Sequence, residues 1–276
     1  MSISSRAIGV FDSGIGGLSV LKHLLLSLPN ERFVYLGDTA RVPYGNKSAE
    51  TVRTYARQCA AFLLRHDVRA IVVACNTVSA VALDVLRDEC PVPVIGVIEP
   101  AAREAVAATR NSHIGVIGTR ATISSNSYTK AITRLASERA VMVHAQPCPL
   151  FVPLVEEGWL ESPVTRLVAD EYLRPLVANG IDTLVLGCTH YPLLTPMLSS
   201  MLPDVALIDC GACTTAETAK ILGIQMESTS MQAAASRTLF YVTDASPNFS
   251  LLARQFLGIV VNDPVTVDID QMRTSS

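Results

Sequence analysis

The chain has 276 residues, a formal net charge of −3, 49% apolar residues and only 5% aromatics. That length suits one large α/β domain or two smaller ones, with Ala, Val, Leu and Ile building the core. There is no basic stripe, Met1 to Arg6 is polar, and no apolar run approaches the roughly 18 residues of a membrane helix, so the sequence reads as a cytoplasmic protein with neither nucleic acid nor membrane as a primary partner.

The first apolar run predicts a strand over Ala7–Phe11, followed by Asp12-Ser-Gly-Ile-Gly-Gly17 and a helix over Gly17–Leu28. The glycines allow close approach of backbone to a ligand, but this is not a dinucleotide fingerprint and no acidic residue is placed to hold a ribose. Asp12 and Ser13 either cap the helix or face a ligand at the strand end. A strand over Phe33–Leu36 runs into Leu36-Gly-Asp-Thr-Ala-Arg-Val-Pro-Tyr-Gly45. Pro43 fixes φ there, and Gly45, beside Tyr44, can turn its N–H toward a carboxylate; a purely structural loop is the alternative. Ser48 is the expected cap of a helix over Ser48–Arg65.

A strand over Ala70–Ala74 ends in Cys75-Asn-Thr77, before a helix over Val78–Asp88. Asn76 and Thr77 offer short donors for a carboxylate. The helix N-terminus predicts a Cys75 thiol below its reference pKa of about 8.5. A buried inert cysteine is the bland alternative. A strand over Pro93–Val97 and a helix over Ala101–Ala108 come next, then a strand over Ile114–Ile117 ending in Gly118-Thr-Arg-Ala-Thr122. Thr119 and Thr122 either extend a carboxylate-binding set or cap a helix over Ala121–Ser137. After a strand over Val141–His144, the proline-rich stretch 147–158 supplies Glu156, preferred over Glu157 as the carboxylate that reaches His190. A helix over Val164–Ala178 and a strand over Thr183–Leu186 lead to Cys188-Thr-His190. His190 can tune the neighbouring thiol or contact a substrate; a structural histidine is the alternative. Strands over Val205–Ile208 and Leu239–Val242 and a helix over Thr214–Leu222 complete the pattern.

Alternating β and α elements imply parallel sheets covered by helices, with ligands at the carboxyl ends of the strands. Three landmarks recur in order. Ile8-Gly-Val-Phe-Asp-Ser-Gly is similar to Ile114-Gly-Val-Ile-Gly-Thr-Arg, Ala70–Thr77 to Thr183–His190, and the stretch 93–99 to the stretch 204–209. A duplicated α/β unit makes Cys75 and Cys188 equivalent, on opposite sides of one cleft. The first domain is expected over residues 1–97 and the second over 98–208.

The seven cysteines are odd in number, and Cys210-Gly-Ala-Cys213 has no second pair beside it, so packed or catalytic thiols are expected rather than disulfides. Cys75, Cys188 and His190 give at most three ligands, so no metal is expected. Two opposed thiols suit two-base chemistry: one thiolate removes a proton from carbon and the other thiol protonates the opposite face, with Asn76, Thr77 and Thr189 holding the adjacent carboxylate. No lysine sits in a pyridoxal-type context, so no cofactor is expected.

Asp12-Ser-Gly-Ile-Gly-Gly, Tyr35-Leu-Gly-Asp-Thr-Ala-Arg-Val-Pro-Tyr-Gly, Cys75-Asn-Thr, Gly96-Val-Ile-Glu-Pro100, Cys148-Pro-Leu-Phe-Val-Pro-Leu-Val-Glu and Gly187-Cys-Thr-His-Tyr-Pro192 together resemble the bacterial glutamate racemases over about residues 7 to 225. The resemblance implies two similar α/β domains related by a pseudo-two-fold axis, with segment 209–276 returning to the first domain, and a homodimer. It implies a cofactor-independent interconversion of L- and D-glutamate that supplies peptidoglycan synthesis. Carried over, Cys75 deprotonates the D-isomer and Cys188 the L-isomer, assisted by Asp12, Glu156 and His190. Asp12, Ser13, Tyr44, Gly45, Asn76, Thr77, Thr189 and His190 form the substrate shell. The alternatives are a racemase of the same fold acting on aspartate or another small acid, a cysteine-nucleophile hydrolase that uses one thiol, and a binding protein that uses neither.

Overall fold

The computed structural model describes residues 6–137, 139–244, 249–261, 263–270 and 272. The first half of the chain runs β1 (Ala7–Asp12), α1 (Leu18–Ser27), β2 (Phe33–Gly37), α2 (Ala49–Leu64), β3 (Val68–Val73), α3 (Asn76–Val81), α4 (Leu83–Glu89) and β4 (Val94–Gly96). The second runs α5 (Ile98–Ala108), β5 (His113–Gly118), α6 (Arg120–Ser124), α7 (Ser127–Ala136), β6 (Met142–Pro147), α8 (Phe151–Glu156), α9 (Pro163–Ala178), β7 (Thr183–Gly187), α10 (Thr195–Met201) and β8 (Ala206–Asp209). The chain then forms α11 (Cys210–Leu222), α12 (Met231–Ala235), β9 (Thr238–Val242), α13 (Phe249–Leu257) and β10 (Val265–Thr266).

All strand pairs are parallel. One sheet has the order β10-β9-β2-β1-β3-β4 and the other β6-β5-β7-β8. Strands β2-β1-β3-β4 and β6-β5-β7-β8 therefore repeat one topology, as the internal repeat requires. Strand β3, which ends just before Cys75, corresponds to β7, which ends at Gly187 just before Cys188. The central strands β1, β3, β5 and β7 are almost entirely buried, because helices cover both faces of each sheet. One apolar cluster fills the space between α2, α3, α4 and the first sheet. The other runs without a break from the opposite face of that sheet, through α1, α5, α11 and α13, into the second sheet. Helix α11 packs on both α1 and α5, so the two halves share a core.

Local bonding explains where elements depart from the sequence pattern. The helix expected over Val78–Asp88 divides into α3 and α4 at Ala82 (φ −131°, ψ −5°), where Arg53 Nε donates to the Val81 carbonyl at 2.9 Å. The helix expected over Ala121–Ser137 divides into α6 and α7 at Asn126 (φ 56°). There the Ser125 hydroxyl donates to Thr122 O at 2.6 Å and accepts from Ser127 N at 3.1 Å, taking over groups that a continuous helix would use. Helix α11 starts four residues earlier than the pattern suggests, because the Asp209 carboxylate caps it through the amides of Gly211 at 2.7 Å and Ala212 at 3.4 Å. Helices α8 and α10, absent from the pattern, each carry a proline in their first turn, where its missing N–H costs nothing.

The two halves meet where the β1–α1 turn touches the loop after β7. The Ser19 hydroxyl donates to Thr189 O at 2.7 Å. Gly16 lies so near that a Cβ there would sit 2.4 Å from Thr189 Oγ1 and 2.5 Å from His190 Nδ1. A methyl group has no room unless the halves separate. Gly16→Ala is therefore expected to cost about 1–3 kcal/mol in urea unfolding, the usual cost of overpacking. Unchanged stability would show that this contact yields freely.

Candidate active site

Four strand ends, β1, β3, β5 and β7, converge and carry nearly every residue singled out above. Cys75 stands at the N-cap of α3, 5% exposed, and its Sγ donates to Ser13 Oγ at 3.3 Å. Burial pushes the Cys75 thiol up to about 12, and the Asp12 carboxylate adds to this, against the opposing effect of Ser13 and of the Ser13 and Val78 amides. The thiol is thus raised, not lowered as its position before a helix suggested. Helix α3 has only six residues, and the field of its end is smaller than the cost of placing a sulfur anion away from water beside a carboxylate.

Asp12 is 1% exposed. Its Oδ2 accepts from Gly14 N at 3.0 Å, while Oδ1 has no partner. Burial raises its pKa, opposed by His190 and by the amides of Gly14, Gly17 and Ser13. Helix α1 starts after Gly17 with no side-chain cap, so Asp12 and Ser13 are not capping residues. They face the cleft end of their strand.

In the second half, Cys188 is 6% exposed, with His190 Nδ1 3.9 Å from its Sγ. Nδ1 also lies 3.4 Å from Thr189 Oγ1, and Nε2 lies 3.0 Å from Glu156 Oε1. The Phe256 ring of α13 packs edge-on against the imidazole. Burial alone would lower the His190 pKa, but Cys188 and Glu156 together lift it to about 10. Glu156, at the end of α8 and half-exposed, is thus the glutamate that meets His190.

Three threonines span the halves. Thr77 Oγ1 lies 3.0 Å from Thr119 Oγ1 and 3.3 Å from Thr122 Oγ1, and the last two are 2.9 Å apart. Thr119 also caps α6 by accepting from Thr122 N at 3.2 Å, so it is both a cap and part of the cluster. A Cβ on Gly45 would sit 3.1 Å from Thr119 Cβ, which places the 44–46 turn against the second half. Tyr44 is buried and its hydroxyl is bonded to the fully buried Asp38, which also holds Arg41 and Thr243. Its side chain is committed to anchoring the loop.

Sequence reasoning missed Tyr128 and Asp38. Tyr128 on α7 donates to Asn76 Oδ1 at 2.6 Å, and Asn76 Nδ2 is buried without a partner. A tyrosine on an amphipathic helix carries no local signal that separates it from core, and Asp38 looks like any loop acid. A surface hollow of about 320 Å³ between α12, β9 and β10 contains none of the groups described above. The arrangement by strand ends gives each of two buried thiols its own ionisable neighbour, suited to acid/base work, and it offers donors for an anion.

Comparisons with known proteins agree with this geometry. Residues 9–218 match the profile described as Asp/Glu/Hydantoin racemase. A glutamate racemase of Syntrophus aciditrophicus (strain SB) is 52% identical over 252 residues, covering 91% of this chain and 92% of that protein. A crystal structure of glutamate racemase from Francisella tularensis subsp. tularensis SCHU S4 in complex with D-glutamate superimposes with a TM-score of 0.86 at 38% identity, over 96% of this chain and 98% of its own. The Picrophilus torridus aspartate racemase shares only the fold, at 17% identity and a TM-score of 0.57 over 81% of this chain and 96% of that one. With the profile spanning both cysteine loops and half of all positions shared with a curated relative, the chain belongs to the Asp/Glu/hydantoin racemase family.

Proposed function

We propose that this protein is a cofactor-independent glutamate racemase that inverts the α-carbon of L- and D-glutamate with Cys75 and Cys188 as the two bases. The observation that carries the reading is the twinned placement of the thiols: each follows the corresponding strand of a repeated sheet topology, and each has its own ionisable neighbour. Glutamate is preferred over aspartate because relatives near half identity are glutamate racemases, whereas the aspartate racemase shares only the fold. A cysteine-nucleophile hydrolase would leave one of the two matched thiols without a task.

In the proposed reaction, the Cys75 thiol gives its proton to the neighbouring Asp12 carboxylate, and the thiolate so formed takes the α-proton of D-glutamate. The C–H electron pair stays on carbon and spreads into the α-carboxylate. The Cys188 thiol then protonates the opposite face, which gives L-glutamate and a thiolate on Cys188. The reverse reaction exchanges the roles. Imidazolium at His190 lies where charge forms when the Cys188 sulfur gives up its proton. Asp12, with a free oxygen beside Cys75, accepts from the substrate ammonium. The Asn76 amide, with its free Nδ2, and the hydroxyls of Ser13, Thr77, Thr119, Thr122 and Thr189, with the backbone of Tyr44 and Gly45, hold the carboxylates.

The same reading assigns 1–97 with 209–276 to one domain and 98–208 to the other; β9 and β10 joining the first sheet supports it, while the outermost residues, 1–5 and 273–276, lie outside the described residues. It places the protein in the cytoplasm, where seven unpaired cysteines, five of them buried, suit a reducing medium, and it assigns the D-glutamate to peptidoglycan synthesis. No helix among the described residues is long and apolar enough to cross a membrane. A homodimer belongs to the reading as well. The exposed apolar side chains of Trp159, Val164 and Leu167 offer surface for it.

Incubation with L-glutamate in D₂O, without added cofactor, is expected to give D-glutamate carrying deuterium at Cα while unreacted L-glutamate stays protiated at early times. Binding without inversion or exchange would sink the racemase reading. Cys75→Ala and Cys188→Ala are each expected to lower racemisation at least about 10²-fold, the usual contribution of a general acid or base, as followed by circular dichroism. Full turnover in either variant would overturn the two-base assignment. Loss of the His190 proton is expected to reduce kcat/KM above about pH 10. Glu156→Gln removes the anion on Nε2, so the ring gives up its proton at lower pH and this limb moves down by about one pH unit. A limb that stays in place would show that the pair does not govern it.

A further inference from the structure

The Asn76 amide is a substrate donor only if it is turned the right way. An asparagine side chain can present either oxygen or nitrogen to the cleft, and an oxygen there would repel a carboxylate. Within its own half only a long contact bears on the matter: Asn76 is the first residue of α3, 3% exposed, its Nδ2 has no protein partner, and Cys210 Sγ lies 3.9 Å from Oδ1. Its one short contact is to the opposite half, where the Tyr128 hydroxyl lies 2.6 Å from Oδ1. That distance suits O–H donating to oxygen and is too short for an amide N–H donating to a hydroxyl. Burial holds the Tyr128 pKa well above the phenol range, so the hydroxyl keeps its proton to donate.

The surroundings of Tyr128 leave that proton little choice. The other acceptor in reach is Cys210 Sγ at 3.0 Å, a weak acceptor, and its thiol has its own acceptor in Leu186 O at 3.3 Å. The ring makes a second contact with the site. A Cβ on Gly187, the residue before Cys188, would sit 3.1 Å from Tyr128 Cε2. One buried side chain therefore touches both thiol loops: its oxygen holds the residue after Cys75, and its ring supports the residue before Cys188.

We propose that Tyr128 is a positioning residue of the racemase site, whose hydroxyl locks the Asn76 amide with Nδ2 toward the substrate carboxylate and whose ring sets how closely the Cys188 loop approaches. This deepens the racemase reading and rests on it. The hydroxyl acts through Asn76 and does not touch substrate. Without it the amide is free to flip, and half of its orientations present an oxygen to the carboxylate.

A double-mutant cycle tests the lock. Tyr128→Phe keeps the ring and removes the hydroxyl, and is expected to lower kcat/KM for glutamate about tenfold, the size of one net hydrogen bond. In an Asn76→Ala background the same change is expected to cost less than twofold, because no amide remains to orient. Thermal unfolding of each variant accompanies the kinetics. If Asn76→Ala does not fold, Asn76→Ser supplies that corner, since it too lacks the amide. Wild-type kcat/KM in Tyr128→Phe, or an equal loss in both backgrounds, overturns the proposal and leaves the racemase reading standing. A wild-type protein that does not invert glutamate overturns both.

Discussion

A sulfur that exchanges protons with carbon has to be shielded from water, yet a sulfur anion away from water is costly. Everything around Cys75 and Cys188 answers that constraint. Both thiols are buried at strand ends, where backbone and short polar side chains converge. Burial pushes the Cys75 thiol up to about 12, so in the free protein it rests as a thiol. His190, whose pKa Cys188 and Glu156 lift to about 10, stands beside the second sulfur. In the proposed reaction charge is supplied locally on one side, and on the other arrives with a substrate whose ammonium meets the free oxygen of Asp12.

The scaffold is symmetric and the chemistry is not. Strand order repeats, the cysteines occupy matching points, and Ser13 and Thr119 follow matching strands β1 and β5. Around Cys75, however, the neighbours are a hydroxyl and a carboxylate, while around Cys188 they are a histidine and the glutamate that pairs with it. A racemase that treated two mirror-image substrates alike would have no need of such a difference. Its physical basis is that the rest of glutamate does not invert with the α-carbon, so the two faces present different groups to the two thiols.

Holding two half-sites in register requires the halves to behave as one body. The apolar cluster that passes through α1, α5, α11 and α13 into the second sheet does this in bulk. Specific contacts do it at the site: Ser19 with Thr189, Thr77 with Thr119 and Thr122, and Tyr128 with Asn76. The C-terminal segment contributes as well, since Phe256 packs on His190 and Gln255 Nε2 donates to Val155 O of α8 at 2.7 Å. Helix α13 thus steadies the histidine and the helix that carries its glutamate.

The strands other than the two-residue β10, their order along the chain, the duplicated unit and both cysteine loops were legible in the sequence, because buried parallel strands are short apolar runs and the loops after them are rich in Gly, Ser, Thr and Asn. Helix ends were legible where a side chain caps them, as at Ser48, and misread where a distant group competes for the backbone, as at Ala82, where Arg53 takes the Val81 carbonyl. The residue types of the candidate site were legible for the same local reason. Tertiary structure alone decided three matters. It set the Cys75 thiol high, because desolvation depends on what encloses a residue and not on its neighbours in the chain. It bonded the Tyr44 hydroxyl to Asp38, so that side chain anchors the loop. It also brought Tyr128 to Asn76 across 52 residues of chain. Such a contact leaves no periodic or local trace, since it exists only once the two halves have closed on each other.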